Sequence, residues 1–319
     1  MTIHVLGSIN IDHVYRVPHA PGPGETLADT GYAMGLGGKG ANQALAAAAA
    51  GARVRFAGAV GPEGGWARAR LAAAGVDVSA VAELEAATGH AVILVEPSGE
   101  NRIVIHGGAN RALEPALLER ALAAAAPGDW WLVQNETALV AESLAAARAK
   151  GLRTAYAAAP FEAEAVAGVL GDVDLLVLNE GEAAALAAHL GTDGAALAVP
   201  GVLVTLGAQG ARLTTGPAWS GAPPARAGAP PARRAATPPA PDHAGPAARQ
   251  SLEVAAFAVT AEDTTGAGDC FLGYALAGFD AGLAAEVALR RAAAAAAIAV
   301  TRPGAAEAIP SAAEVDAFL

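Results

Sequence analysis

Along most of its 319 residues the chain alternates short β-like runs with longer Ala-rich helical ones, and no other feature constrains its fold as tightly. Apolar runs at Ile3–Ile9, Arg53–Val60, Trp130–Gln134, Thr154–Ala157, Asp174–Leu178 and Val202–Leu206 read as strands. Helices are expected near Lys39–Ala50, Gly65–Ala74, Glu114–Ala125, Ala138–Ala149 and Gly181–Leu190. Such alternation is the signature of a parallel sheet covered by helices, because a parallel crossover must carry the chain back to the same end of the sheet. The length leaves open one large α/β domain or two smaller ones.

Two regions interrupt the rhythm. Asp12–Leu36 holds turn residues ("APGPGET") with little helical period, and Ala91–Val95 and Arg102–His106 flank the turn-rich "EPSGEN", which reads as a hairpin. Both are expected to be strands outside the main sheet, either an active-site cover or surface excursions. From Gly216 to Gln250 the composition changes: nine of the chain's twenty prolines fall there, with four Arg against one Asp. Such a stretch buries too little apolar area to offset its ordering entropy, so a flexible or polyproline-like insertion is expected. Its "PPAP" (Pro238–Pro241) is a docking motif or inert sequence.

A formal net charge of −11 argues against nucleic acid or an anionic membrane as partner, so any bound phosphate needs a local device. The single cysteine, Cys270, excludes an internal disulfide and a multi-cysteine metal site. "MTIHVLGSIN" reads as a strand rather than a signal peptide, and "AAAAAAIAV" (Ala292–Val300) is too short to cross a bilayer, so a cytoplasmic location is expected.

Three polar, Gly-containing stretches carry chemistry. "GLGGKG" (Gly35–Gly40) formally matches G-x-G-x-x-G, with Glu63 near the distance of a ribose-binding acid. Yet about thirty residues separate it from the first strand, where a dinucleotide fingerprint joins strand to helix directly. It is no Walker A loop either, since Lys39 precedes Gly40 rather than Ser or Thr. "GGKGANQA" is either a plain Gly-rich helix entry or a site for a polyhydroxylated or anionic ligand, offering free N–H groups, Lys39, Asn42 and Gln43. Lys39 is one of two lysines against eighteen arginines, so compositional bias did not place it there.

In "DTTGAGD" (Asp263–Asp269) a helix starting at Gly266–Gly268 would expose N–H groups able to hold phosphoryl oxygens, with Asp269 in the first turn. Asp269 is then either a first-turn acid favoured by the helix dipole or a base that accepts a hydroxyl proton. "NEGEA" (Asn179–Ala183) follows a strand and opens a helix. A capping box between Asn179 and Glu182 suffices to explain it, although the carboxyl end of a strand is also where α/β sheets bind ligands.

Taken in order, "LGSIN.D" (Leu6–Asp12), "PGET" (Pro23–Thr26), "GGKGANQA" (Gly37–Ala44), "IHGGAN" (Ile105–Asn110), "NEGEA", "VTLGAQGA" (Val204–Ala211), "DTTGAGD" and "AAAIAVTRPGA" (Ala295–Ala305) resemble the ribokinase-like (PfkB-type) carbohydrate kinases over nearly the whole chain. The resemblance implies one domain over residues 1–319: a three-layer, mostly parallel sheet with helices on both faces, and a small β-lid from about 12–36 and 89–107. It also implies transfer of the ATP γ-phosphoryl group to a sugar hydroxymethyl oxygen, D-ribose first, with other sugars, sugar acids or nucleosides as alternatives. A catalytically silent sugar-binding protein is a further alternative, and a dinucleotide oxidoreductase a distant one.

By position, Asp269 would be the base and the N–H groups of Gly266, Ala267 and Gly268 the anion hole. Asn10, Asp12, Gly38, Asn42 and Glu136 match sugar-binding positions, and Lys39 one near the transferred phosphate. Asn179 and Glu182 match the phosphate and Mg²⁺ region; Thr205, Gly207 and Gly210 match the nucleotide loop. Asp263, Thr265, Ala299, Arg302 and Gly304 resemble a K⁺ loop, with Ala308 where a side-chain ligand stands in the family. Ala157-Ala158-Ala159-Pro160 replaces the usual Asn-Pro-Ala-Pro, and the Pro-rich insertion is expected near the nucleotide edge. A homodimer formed through the lid is the family expectation.

Overall fold

The computed structural model describes residues 1–192, 197, 199–219 and 249–319; the "PPAP" motif and nearly all of the 216–250 insertion lie outside the described residues. Seven parallel strands form the main sheet, in the order β5 (Asp77–Glu83), β4 (Arg53–Val60), β1 (Thr2–Leu6), β8 (Trp130–Gln134), β9 (Arg153–Ala157), β10 (Leu175–Asn179) and β11 (Gly201–Thr205). Two antiparallel strands, β12 (Ala211–Thr215) and β13 (Gln250–Val254), complete one edge. The expected α/β class and layering hold.

Both sheet faces are buried, so successive side chains serve different cores. Trp130, Leu132, Leu175 and Val177 pack into one core; Trp131, Val133, Leu176 and Leu178 pack into the other. The first core takes helices α1 (Lys39–Ala49), α2 (Gly65–Ala73), α7 (Ala267–Asp280), α8 (Ala285–Ala299) and α9 (Ala312–Phe318). The second takes α3 (Pro115–Ala123), α4 (Val140–Ala149), α5 (Ala163–Val169) and α6 (Glu180–Leu190).

The Ala and Gly content is used where helices approach closely. At Gly273 of α7 an added Cβ would lie 2.5 Å from the Ala46 Cβ and 2.6 Å from the Gln43 carbonyl oxygen of α1. This tight seam holds the starts of α1 and α7 side by side.

Ile3–Ile9 is not one strand. The chain leaves the main sheet after Leu6 and re-enters a second sheet as β2 (Asn10–Arg16), which pairs with β3 (Gly31–Gly37) and β6 (Gly89–Val95). β7 (Asn101–His106) completes it by an antiparallel hairpin with β6. Both irregular regions therefore supply strands outside the main sheet. β5, α5, β12 and β13 are elements that the apolar pattern did not single out.

One expectation is corrected by register. Thr205 pairs with Ala211 and Gly201 with Thr215, and Thr215 in turn pairs with Gln250. The insertion thus leaves the sheet at the amino ends of the parallel strands, a full strand length from the Leu206–Gly210 turn that was expected beside the nucleotide. Trp219 anchors its near end against Gly201, Trp130 and Phe279.

Candidate active site

From β1 the strand order runs outward in two directions, to β4 and β5 on one side and to β8 through β11 on the other. At such a reversal the connections on either side diverge to opposite faces and leave a crevice at the carboxyl ends of the strands. Ser8 and Asn10 follow β1, while Gln134 ends β8 with Glu136 two residues beyond. The start of α1 reaches the same place because Gly7 and Gly40 nearly touch: a Cβ on Gly40 would lie 2.5 Å from the Gly7 Cα. Gly38, with φ +92°, makes the turn into α1.

On this side the polar groups are already cross-linked. The Ser8 hydroxyl donates to Glu136 Oε2 at 2.5 Å, and the Lys39 backbone N–H donates to the same oxygen at 3.1 Å. Asn110 Nδ2 donates to Asn10 Oδ1 at 2.8 Å, and Asn110 Oδ1 accepts from the Ile9 N–H at 3.0 Å. Asp12 stands on β2 opposite Gly35 and Ala91. Burial, with the charges of Glu136 and Glu307, pushes its carboxyl up to about 6.

That shift fixes a pH dependence. An unfolded Asp ionises at its ordinary value, while the folded protein keeps the Asp12 proton until about pH 6. Stability therefore declines as pH rises through that interval, and ionised Asp12 is available as an acceptor only above it. The KM for a polyol ligand should rise as pH falls through about 6. Asp12→Asn should lack that inflection, and wild-type KM values flat from pH 5 to 8 would contradict the assignment.

Across the crevice, Gly266 caps α7 in the left-handed region (φ +71°), and Ala267, Gly268 and Asp269 form its first turn. Among the described residues nothing outside its own helix lies within 4 Å of a Cβ built on Gly268, so open space lies beside this turn, while the Ala267 N–H donates to the Thr264 carbonyl at 3.3 Å. Asp269 accepts from Gln43 Nε2 at 2.8 Å and from Asn42 Nδ2 at 3.2 Å, both from α1. Burial pushes its carboxyl above the ordinary carboxylate value, opposed by the Lys39 ammonium and these two amides. Asn42 Oδ1 is buried without a partner among the described residues. Cys270, next in sequence, is buried and its thiol is pushed up to about 12, which leaves it inert.

Two adjoining cavities meet at this turn. One, of about 210 Å³, is lined by Lys39, Asn179, Glu182 and the Gly266–Asp269 turn. The other, of about 600 Å³, is lined by Thr205, Gly207 and Gly210 and by apolar groups such as Phe257, Val259 and Val300. Thr205, Thr264, Ala267 and Gly268 belong to both. Asn179 and Glu182 make the full capping box, with reciprocal bonds of 2.8 and 2.7 Å, and line the cavity as well.

The remaining positions gather only in part. Asp263 accepts from the Thr265 and Gly304 N–H groups, both at 2.9 Å, which ties two loops together. Burial opposes its ionisation, but these donors hold its carboxyl below the ordinary value. The Ala299 carbonyl accepts the Arg302 N–H, and the Arg302 guanidinium turns outward to Glu314 at 2.6 Å. Ala308 is buried and offers no side-chain ligand. Among the described residues, no group of three or more His, Cys, Asp or Glu is placed to hold a metal ion, and no helix is long and apolar enough to cross a membrane.

Ser8 and Gln134 are not singled out by the sequence, Asn110 falls within a motif without a role of its own, and Gln43, expected to offer its amide to a polyhydroxylated ligand, commits it to Asp269 and Gln134. The available signal was Gln134, an amide closing the otherwise apolar run "WWLVQ".

A helix start open to an anion, a carboxylate beside it, and a polar crevice at the switch point define a phosphotransferase of the α/β class. The chain belongs to the pfkB family of carbohydrate kinases, whose model matches residues 2–229 and 247–312. It is 34% identical to the ribokinase of Haemophilus influenzae, over 100% of this chain and 98% of that one. It is 32% identical to the ribokinase of Schizosaccharomyces pombe, over 99% and 97%. A ribokinase from Cryptococcus neoformans, solved in complex with ADP, superposes with a TM-score of 0.80 at 30% identity, covering 99% of each chain.

Proposed function

We propose that the protein is a ribokinase, which transfers the γ-phosphoryl group of ATP to the hydroxymethyl oxygen of D-ribose and releases ribose 5-phosphate and ADP. One observation carries the reading: Asp269 is held by two amides of α1 at the junction of the polar crevice and the 210 Å³ cavity. A sugar bound through Asn10, Asp12, Gly38, Asn42 and Glu136 presents a hydroxyl to that carboxylate. The orphaned Asn42 Oδ1 suits a hydroxyl donor.

Asp269 takes the proton as the sugar oxygen attacks, and the Gly266, Ala267 and Gly268 amides with Lys39 receive the charge that builds on the γ-phosphoryl oxygens. The 600 Å³ cavity takes the nucleoside, with Thr205, Gly207 and Gly210 along its edge. Mg²⁺ would be carried largely by the phosphates and water. The residues fit that mode: Glu182 lines the 210 Å³ cavity with Oε2 committed to the helix cap, and would hold the ion through water with its other oxygen. Bound there, the ion neutralises phosphate charge. Potassium, if it activates, acts through the loops joined by Asp263 and Gly304.

A second copy is proposed to cover the lid, since Ile103 and Ile105 are 49% and 52% exposed on the sheet face that also carries Asp12. The test is turnover of Mg-ATP with a panel of pentoses, ketoses, sugar acids and nucleosides, with and without K⁺, on protein sized by sedimentation. Ribose is expected to be preferred, in a dimer. Preference for another acceptor would move the substrate within the family, and sugar binding with no turnover would make the chain a silent binder.

A further inference from the structure

The hydrogen bonds to Asp269 continue inward. Gln43 Nε2 donates to the carboxylate at 2.8 Å, and Gln43 Oε1 accepts from Gln134 Nε2 at 2.7 Å. Gln134 is 0% exposed at the carboxyl end of β8, and 91 residues separate the two amides in sequence.

Direction matters here, because an amide is a donor at one end and an acceptor at the other. With its NH₂ on the Gln43 oxygen, Gln134 supports the orientation in which Gln43 turns its own NH₂ toward Asp269. Without that donor, Gln43 is freer to turn over and set its oxygen to accept from a protonated Asp269 carboxyl, the form that cannot act as a base.

The arrangement carries a cost. Gln134 Oε1 is buried with no partner among the described residues, pressed so close to Gly7 that a Cβ there would stand 2.8 Å away. An orphaned buried acceptor is destabilising, which an apolar side chain of the same shape would avoid. A residue chosen for packing alone would not be an amide.

Resting on the reading of Asp269 as the base, we infer that Gln134 and Gln43 form a directional amide relay that keeps Asp269 a hydrogen-bond acceptor and therefore competent to take the sugar proton. Gln134 is a positioning residue: it touches neither sugar, nucleotide nor the carboxylate itself. The relay stabilises ionised Asp269, working against the burial that raises its pKa.

Gln134→Met keeps shape and removes the donor. The relay predicts a folded enzyme with a Tm near that of wild type, since the orphaned Gln134 Oε1 is gone but the buried Gln43 Oε1 loses its donor. The acid limb of its kcat–pH profile should move up by about half a pH unit or more, with KM for sugar and ATP within about threefold of wild type. Gln43→Met, which removes a direct donor, should shift the limb further in the same direction, by about one unit or more.

A purely structural role predicts an unmoved acid limb; that result in Gln134→Met would overturn the relay. Should Gln134→Met fail to fold, an unmoved limb in Gln43→Met overturns it instead. Asp269→Asn, measured alongside, separates the layers. If it keeps wild-type turnover, the base assignment falls and the relay with it. If it is inactive while both Gln variants keep the wild-type limb, the relay alone falls.

Discussion

Asp269→Asn lowers kcat about 10³-fold or more while the dissociation constant for the sugar changes less than about tenfold, because an amide of the same shape cannot accept the hydroxyl proton. Gln43 Nε2 and Asn42 Nδ2 donate to different oxygens of the carboxylate, so an Asn at this position keeps one of the two bonds, and its NH₂ is accommodated when Asn42 turns its unpartnered Oδ1 toward it.

Stability should move the other way. Burial raises the Asp269 pKa, so the folded protein holds this proton to higher pH than the unfolded chain does. As pH rises through that interval stability is lost, and at neutral pH the ionised carboxylate is a burden to the fold. The variant should therefore melt higher than wild type at pH 8, with the gain fading toward acid pH. Turnover within tenfold of wild type, by a coupled ADP assay, would refute the role of base.

Gly40→Ala is expected to damage fold and function together. The added Cβ would stand 2.5 Å from both the Gly7 Cα and the Ser8 N, and 2.7 Å from the Gly7 carbonyl carbon. All three are backbone atoms, so no side chain can swing aside, and α1 must lift from the end of β1.

Overpacking of this kind costs about 3 kcal/mol, or about 4–5 °C of Tm in a chain of this size. The Ala41 N–H bond to the Ser8 carbonyl (3.0 Å) and the Lys39 N–H bond to Glu136 (3.1 Å) would stretch with the helix, so sugar affinity should fall too. Gly168→Ala is the control. Nothing lies within 4 Å of its Cβ position in α5, and there Ala should stabilise by about 0.5–1 kcal/mol. A Gly40→Ala variant melting within about 2 °C of wild type would contradict the close approach of α1 and β1.

Much of the site was legible because its parts are local. A capping box needs residues three apart, and Asn179 and Glu182 are so spaced. A helix opened by Gly266, with an acid in its first turn, likewise follows from adjacent residues. Gln134 was not legible, since its role arises from a contact with Gln43 across 91 residues, and a terminal Gln on an apolar strand looks like the end of that strand. β12 and β13 were missed for a related reason. They pair across the insertion, and the register that sends it away from the nucleotide turn is set by strand neighbours rather than by composition.

The sequence by itself determined the α/β class and the order of motifs, because strand and helix periods and capping geometry are written at spacings of two to four residues. Only the tertiary structure decided the rest. It set the reversal beside β1, the near-contact of Gly7 and Gly40, and the amides of α1 and β8 that converge on Asp269. These depend on which strands become neighbours, and that choice is made by packing two cores on one sheet rather than by any local run of residues.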